Sequence, residues 1–75
     1  MNMKPVSSSN VHAIGYDPTT KDMAIQFHKN GVPTGMYTHH DVPPEVHAAL
    51  MDAESHGKHY AANIKGKFKH SREAA

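Results

Sequence analysis

Two histidines and an aspartate stand side by side at positions 39 to 41, inside the stretch MYTHHDVPPEV that spans residues 36–46. Imidazole and carboxylate groups are common zinc ligands and common acid–base catalysts. In an extended strand, however, neighbouring side chains point to opposite faces, so His39 and His40 would point apart. We therefore predict that these two histidines do not bind one metal ion together.

The chain contains eight histidines, yet their spacing does not match a metal site. A zinc ion takes three or four converging ligands, and one face of a strand would supply two of them through a His-x-His pair. No such pair occurs. His56 and His59 could share a helix face, but Gly57 between them weakens the helix. The sequence predicts no metal site and no cofactor.

Ser7, Ser8 and Ser9 are the candidate nucleophiles, and no nucleophile-elbow motif surrounds them. A domain this small also rarely spares the ~300 Å³ or more that a small-molecule site occupies. We expect the serines to form a polar lead-in that caps or pairs with the first strand. The sequence thus predicts a protein that is not an enzyme and has no small-molecule substrate.

The length of 75 residues corresponds to one domain. At that length, folding hides only about 60–65% of the surface of the unfolded chain. The sequence contains no cysteine, so neither a disulfide nor a thiolate metal site can supplement the small core. The first ten residues contain no apolar run, which predicts neither a signal peptide nor a membrane span. We therefore expect a cytoplasmic location.

The charges are segregated along the chain, although the net charge is only +1. Residues 41–54 contain four acids and no lysine or arginine, whereas residues 55–72 contain five bases and no acid. A basic cluster of this kind is typical either of a solvated polar tail or of a surface that binds phosphates.

Three segments have the composition of β-strands. In DMAIQFH, Met23, Ile25 and Phe27 alternate with less apolar residues, which is typical of a half-buried strand. NVHAIGYD precedes this strand and ends at an Asp-Pro turn signal, and MYTHH follows it. The connecting segment KNGVPTG predicts a hairpin loop longer than a tight two-residue turn.

Two helices are predicted after the strands. Pro43 and Pro44 end the sheet, because proline has no amide hydrogen, and proline suits the first turn of a helix. The helix face that we expect to pack on the sheet has apolar residues at i, i+3, i+4 and i+7: Val46, Ala49, Leu50 and Ala53. Gly57 would break or bend this helix. A second, shorter helix would then align three apolar residues: Tyr60, Ile64 and Phe68.

These elements predict an α+β fold, in which a small antiparallel three-stranded meander is followed by two helices packed on one face. The single domain would span residues 10–68. Residues 1–9 would form a flexible polar N-terminal arm, and residues 69–75 a flexible C-terminal tail.

Four segments in this order, SSSNVHAIGYD, MAIQF, MYTHHDVPPEVHAAL and SHGKHYAANIK, resemble the KTSC domain. That family is a short module found at the C-terminus of some lysyl-tRNA synthetases and as a stand-alone bacterial or phage protein. The resemblance covers about residues 6–65 and implies the fold more strongly than a function. The company with a synthetase implies RNA binding.

The chain departs from the family pattern at several aromatic positions. The family typically has a central Tyr-x-Tyr motif, and Tyr-Thr-His occupies that place at residues 37–39. Family members often have an aromatic residue where His47 and His59 stand, and the segment 27–37 is a few residues longer than usual. Histidine keeps a flat ring but adds a group whose charge changes between about pH 5 and 8. If these histidines are buried and neutral, their folded pKa is depressed.

Two functions of different classes stay open. The first is a small non-enzymatic protein-binding regulator, phage-encoded and acting on a host complex such as RNA polymerase through exposed strand edges. The second is an RNA- or nucleic-acid-binding module, in which the basic segment 58–72 contacts phosphates and surface aromatics stack on bases. The divided charge and the few aromatic residues favour the protein-binding regulator.

The candidate partner-binding residues combine the polar lead-in, the central aromatic motif and the basic segment. They are Ser7, Ser8, Asn10, Tyr37, His39, Lys58, His59, Lys65, Lys67, Lys69 and Arg72.

Overall fold

The sheet has five strands, so the three-stranded prediction is wrong. The computed structural model describes residues 2–74 and the side chains of residues 2–72. Its elements are β1 Met3–Pro5, β2 Val11–Asp17, β3 Asp22–Lys29, β4 Val32–His39, α1 Pro44–Asp52, α2 His56–Asn63 and β5 His70–Ala74. Neighbouring strands are antiparallel, in the order β1-β2-β3-β4-β5. The predicted α+β class and antiparallel sheet are confirmed.

The two additional strands lie in the segments predicted as a flexible arm and a flexible tail. β1 pairs with β2, with Lys4 opposite Ile14, and β5 pairs with β4, with Ser71 opposite Thr38. Neither segment has the apolar alternation by which a strand is recognised in a sequence. Met1 and Ala75, at the ends of the predicted arm and tail, lie outside the described residues.

A tight two-residue turn joins β3 to β4, where the sequence predicted a longer loop. Asn30 and Gly31 both have positive φ, of 53° and 83°, and Lys29 pairs directly with Val32. Positive φ at both central residues is the requirement of a type I′ hairpin turn, which Asn-Gly meets at little cost. The Asn-Gly pair was therefore the decisive turn signal in this segment.

The proline and threonine that follow this turn belong to the strand. Pro33 lies opposite His28, before the pairing with β5 begins at Gly35, so the missing amide hydrogen falls where β4 has no partner on its other side within residues 2–74. The register shifts there, with Phe27 opposite Gly35, which makes Thr34 an extra residue on β4. A bulge thus replaces the predicted loop.

Both helices are short. α1 begins at Pro44, as predicted, and ends before Ala53, which has extended backbone angles of −71° and 143°. The side chain of Ser55 caps α2 by accepting the Lys58 amide hydrogen. Gly57 therefore lies in the first turn of α2 and does not end α1, which corrects the prediction. Within residues 2–74, no helix is long and apolar enough to cross a membrane.

The core combines apolar residues of β2, β3, both helices and their flanks. Its buried cluster consists of Val11, Ile14, Met23, Ile25, Val42, Leu50, Tyr60 and Ile64. In α1, Leu50 is buried and Val46 packs against the cluster, whereas Ala49 is exposed. The predicted apolar stripe is therefore correct at two positions and wrong at Ala49.

Gly31→Ala should lower the free energy of unfolding by about 1 kcal/mol, because a φ of 83° places alanine in the left-handed region. Nothing lies within 4 Å of a Cβ built at this position, so the loss would report backbone conformation alone. Urea unfolding measures the change. Gly31→Asn is the control and should lose less, since asparagine enters this region more readily. Equal stability of Gly31→Ala and the unchanged protein would contradict the turn.

Candidate binding cleft

His39, the last residue of β4, and His40, which follows it, lie on opposite faces of the sheet. The His39 ring faces the helices, with its centroid 5.4 Å from that of Tyr60 in α2. On the opposite face, His40 Nδ1 lies 2.9 Å from Asp22 Oδ1, and His40 Nε2 lies 3.2 Å from Ser71 Oγ. The histidines point apart, as the alternation predicted. Among the described side chains of residues 2–72, no three histidine, aspartate or glutamate groups converge as a metal ion requires.

Five aromatic rings form one cluster on the helix-bearing face. Phe27 of β3 meets Tyr37 of β4 edge-on, with centroids 5.7 Å apart, and meets Tyr60 edge-on at 5.3 Å. His70 of β5 meets Tyr37 edge-on at 5.6 Å and also lies 5.6 Å from His39. Edge-to-face contacts of this kind stabilise aromatic pairs beyond the area that they bury. Three strands and one helix therefore build the cluster.

A cleft of about 320 Å³ opens beside the ring cluster. Its lining residues are Asn10, Phe27, Tyr37, Gly57, Tyr60, Ala61, Lys65, Gly66 and His70. This volume lies at the lower end of the roughly 300–1,000 Å³ of ligand pockets, contrary to the expectation from chain length. The cleft combines aromatic walls with a lysine and a carboxamide.

His39 is the buried member of the cluster. It is 1% exposed, and neither ring nitrogen has a hydrogen-bond partner within the described residues. Burial, followed by the charges of the neighbouring His70 and His40, lowers the pKa of His39 to about 4. The ring is therefore neutral at pH 7 and packs as an aromatic side chain among the other rings.

Basic side chains accompany the cleft. Lys65 lines it, and the guanidinium carbon of Arg72 lies 5.7 Å from the ring centroid of Tyr37, in cation–π range. The other bases of the predicted segment are exposed: Lys58, Lys67 and Lys69. The structure thus brings part of the basic segment to the central aromatic motif.

Asn10 approaches the first turn of α2 because residue 57 is glycine. A Cβ at position 57 would overlap the Asn10 carboxamide, so only glycine leaves room for this approach. Ser8 Oγ lies 3.3 Å from Asn10 Oδ1 and accepts the Val11 amide hydrogen at 3.3 Å. Ser8 of the polar lead-in therefore positions Asn10 at the cleft.

The predicted binding residues are only partly brought together. Asn10, Tyr37 and Lys65 line the cleft, whereas Ser7 is exposed and makes no side-chain hydrogen bond within residues 2–74. His59 is half-buried, with its Nδ1 3.4 Å from the side-chain nitrogen of Asn63.

Sequence reasoning missed several lining residues. These are Phe27, Gly57, Ala61, Gly66 and His70. For Tyr60, packing in the core was preferred to base stacking, and this residue both belongs to the core and lines the cleft. Gly57 carried a usable signal, because glycine in the first turn of a helix marks a close approach of another group.

A second aromatic contact lies between β2 and α1. The rings of Tyr16 and His47 are stacked, with centroids 4.6 Å apart and planes 9° apart. The Tyr16 hydroxyl donates to the carbonyl of Val42, which ties the α1 lead-in to the sheet. Burial, and then the charge of Lys4, lowers the pKa of His47 below its ordinary range. His47 thus packs as the aromatic residue expected at its position.

A family model and a solved structure identify the same family for this chain. The KTSC domain model matches residues 7–68. The crystal structure of a KTSC domain protein from Yersinia pestis has a TM-score of 0.85 and 38% identity, over 95% of this chain and 94% of that chain. A protein of Tsukamurella paurometabola is 40% identical over 89% of this chain and 94% of its own length. A lysine–tRNA ligase of Nostoc punctiforme is 36% identical over 89% of this chain, which corresponds to 11% of the ligase.

Lowering the pH from about 6.5 to 4 should destabilise the protein, because the unfolded chain takes up a proton at residue 39 that the folded protein, with a pKa of about 4, does not. The stability that the neutral His39 contributes is fully present above the pKa of this histidine in the unfolded chain. It is lost as the pH falls towards its pKa in the folded protein. A pKa lowered from 6.5 to about 4 on folding corresponds to a loss of roughly 3 kcal/mol in the free energy of unfolding. Urea unfolding at several pH values measures this loss.

His39→Phe should remove most of this pH dependence and should also raise stability at pH 7, because it replaces two unpaired buried nitrogens by carbon. The matched control is His59→Phe at a half-buried position, which should keep the pH dependence. Identical pH profiles for His39→Phe and the unchanged protein would show that His39 is not buried neutral.

Proposed function

The chain belongs to the KTSC domain family, and from this membership and the cleft we propose that it is a non-enzymatic module that binds single-stranded RNA. The observation that carries the proposal is the meeting of aromatic rings and basic side chains at one cleft. From the sequence, the small number of aromatic residues weighed against nucleic acid. The fold removes that objection by gathering four rings on the walls of the cleft: Phe27, Tyr37, Tyr60 and His70.

The rings supply a surface on which bases can stack. Tyr37 is half-buried and lines the cleft, so part of its ring is open to a ligand. Stacking of a base on an aromatic side chain contributes ~1–3 kcal/mol and tolerates any base. A base inside a duplex keeps its faces covered by its neighbours, so this mode of binding favours single strands.

The basic segment supplies the attraction for phosphates. Residues 55–72 contain five bases and no acid, and they include Lys65 in the cleft and Arg72 beside Tyr37. The four acids of residues 41–54 belong to the lead-in of α1, to α1 itself and to the segment after it. The charge division therefore separates a phosphate-attracting part of the chain from a repelling part.

One relative supports RNA rather than another polyanion. The lysine–tRNA ligase of Nostoc punctiforme, whose name describes an enzyme that acts on tRNA, contains a segment 36% identical to this chain. Because that segment corresponds to only 11% of the ligase, the activity of the whole enzyme does not transfer to this chain. We propose that this chain and the matching segment of the ligase have RNA contact in common.

Replacing Lys65, Lys67 and Lys69 together by glutamine should abolish RNA binding at physiological salt while leaving thermal unfolding unchanged, because all three side chains are exposed. Each lost phosphate contact should also flatten the salt dependence, by about 0.7 in the slope of log K against log salt concentration for a single strand. Fluorescence anisotropy with a labelled oligoribonucleotide at several salt concentrations measures both.

The chain offers a matched control with the same change of charge. Lys4, Lys21 and Lys29 lie outside the basic segment and are exposed. Their joint replacement by glutamine should weaken binding much less. Equal losses in the two triple variants would mean that only net charge matters, and unchanged binding in the first would contradict the proposal.

Protein binding is a second candidate, favoured by the two outer strands of the sheet. β1 and β5 each have a partner on one side only within the described residues, and such edges can accept a strand of another protein. The partner that we predicted from the sequence, a host complex such as RNA polymerase bound by a phage-encoded regulator, stays a prediction.

A pull-down of the tagged chain from bacterial lysate, with and without nuclease, separates the two candidates. If the chain is such a regulator, subunits of RNA polymerase should remain bound after nuclease treatment, because a strand edge binds through backbone hydrogen bonds and not through RNA. Mass spectrometry identifies the bound species. Loss of all bound species on nuclease treatment would contradict this candidate and agree with RNA binding.

A further inference from the structure

We infer that the cleft holds one unpaired RNA base, and that the side chain of Asn10 selects a base edge rich in hydrogen-bond acceptors, uracil in preference to adenine. The inference rests on the proposed RNA binding and names the group that the cleft accepts.

The walls of the cleft suit one flat group. Phe27 stands at 75° to Tyr37 and at 70° to Tyr60, so the rings enclose a corner and do not form a long stacking platform. A volume of about 320 Å³ leaves room for one base with its sugar. Ring walls of this kind also attract organic cations. Lys65 and Arg72 place positive charge at the same site and therefore favour a ligand that carries phosphate.

Ser8 fixes the orientation of the Asn10 carboxamide. Ser8 Oγ accepts the amide hydrogens of Asn10 and Val11, at 3.4 and 3.3 Å. A hydroxyl has two lone pairs and one hydrogen, so the hydrogen is left to donate to Asn10 Oδ1, 3.3 Å away. One lone pair of the carboxamide oxygen is thereby engaged, and Nδ2 has no acceptor within the described residues.

Gly57 brings this carboxamide to the cleft. Asn10 and Gly57 both line it, and a Cβ at position 57 would overlap the carboxamide. The carboxamide atom nearest to that position is Oδ1, so the oxygen is turned towards α2, and the NH₂ group is the hydrogen-bond donor that Asn10 offers to a ligand. Lys65 lines the same cleft and carries hydrogen-bond donors only.

A donor-rich site discriminates between bases. Uracil presents two carbonyl oxygens on either side of one N–H group, whereas adenine presents an amino group beside ring nitrogen acceptors. Asparagine usually pairs with adenine by donating from Nδ2 to N7 and accepting an amino hydrogen at Oδ1, but here Oδ1 is engaged by Ser8 and lies against Gly57. The adenine amino group would therefore face the donors of Asn10 and Lys65. Uracil meets the same donors with acceptors, so the cleft should prefer it.

The test compares binding of oligo(U) and oligo(A) of equal length by fluorescence anisotropy at one salt concentration. Oligo(U) should bind more tightly, and Asn10→Asp should lower its affinity about tenfold, since it exchanges the donor for a carboxylate oxygen of the same shape. Asn30→Asp is the matched control, because it makes the same change of charge in a hairpin turn that accepts Asp-Gly. It should leave the affinity almost unchanged.

Ser8→Ala provides a variant without a change of charge. It frees the Asn10 carboxamide to rotate, so the ratio of oligo(U) to oligo(A) affinity should fall towards one while RNA still binds. Thermal unfolding of each variant verifies that the fold is intact.

The outcomes separate this inference from the proposed function. If both oligonucleotides bind with equal affinity, and Asn10→Asp behaves like Asn30→Asp, base selection by Asn10 is wrong and RNA binding stands. If neither oligonucleotide binds, both the inference and the proposed function are wrong.

Discussion

The register of β4 between β3 and β5 decides where the rings of the cleft lie. Tyr37 pairs with Ile25 on one side and with Arg72 on the other, and His39 pairs with His70. Because side chains alternate along a strand, a slip of β4 by one residue would turn Tyr37 and His39 to the face without helices. The burial of His39 opposes such a slip, since its ring is already enclosed by other rings on the helix-bearing face.

The parts of the fold that could be predicted from the sequence are those in which a different local conformation would cost steric or hydrophobic free energy. The alternation in β3 and the proline start of α1 were readable, because each reflects a local steric or hydrophobic preference. β1 and β5 are edge strands with polar sequences, and pairing with an existing neighbour makes them strands. Their formation depends on the sheet that they join, which a local pattern does not describe.

Only some residues of the candidate site could be predicted from the sequence. Tyr37 and Lys65 stood out through residue type, and Asn10 through its place in the polar lead-in. Phe27 and His70 reach the same cleft from strands far apart in the sequence, and only the tertiary fold brings them together. The replacement of an aromatic residue by His39 preserved the packing because a ring that is neutral at pH 7 needs no ionic partner.

The two strand pairings that β4 makes differ greatly in the length of chain between the paired strands. β3 and β4 are joined by two residues, whereas β4 and β5 meet only after the chain has passed through both helices, with the bonded His40 and Ser71 lying 31 positions apart. Closing the longer loop costs more entropy, so β5 is expected to dock late in folding and, as an edge strand, to detach more easily than the central strands. Detachment removes His70 and Arg72 from the ring cluster. A ligand bound in the cleft would therefore slow hydrogen exchange in β5. The rate at which the ligand is released would then depend on how often β5 detaches from β4.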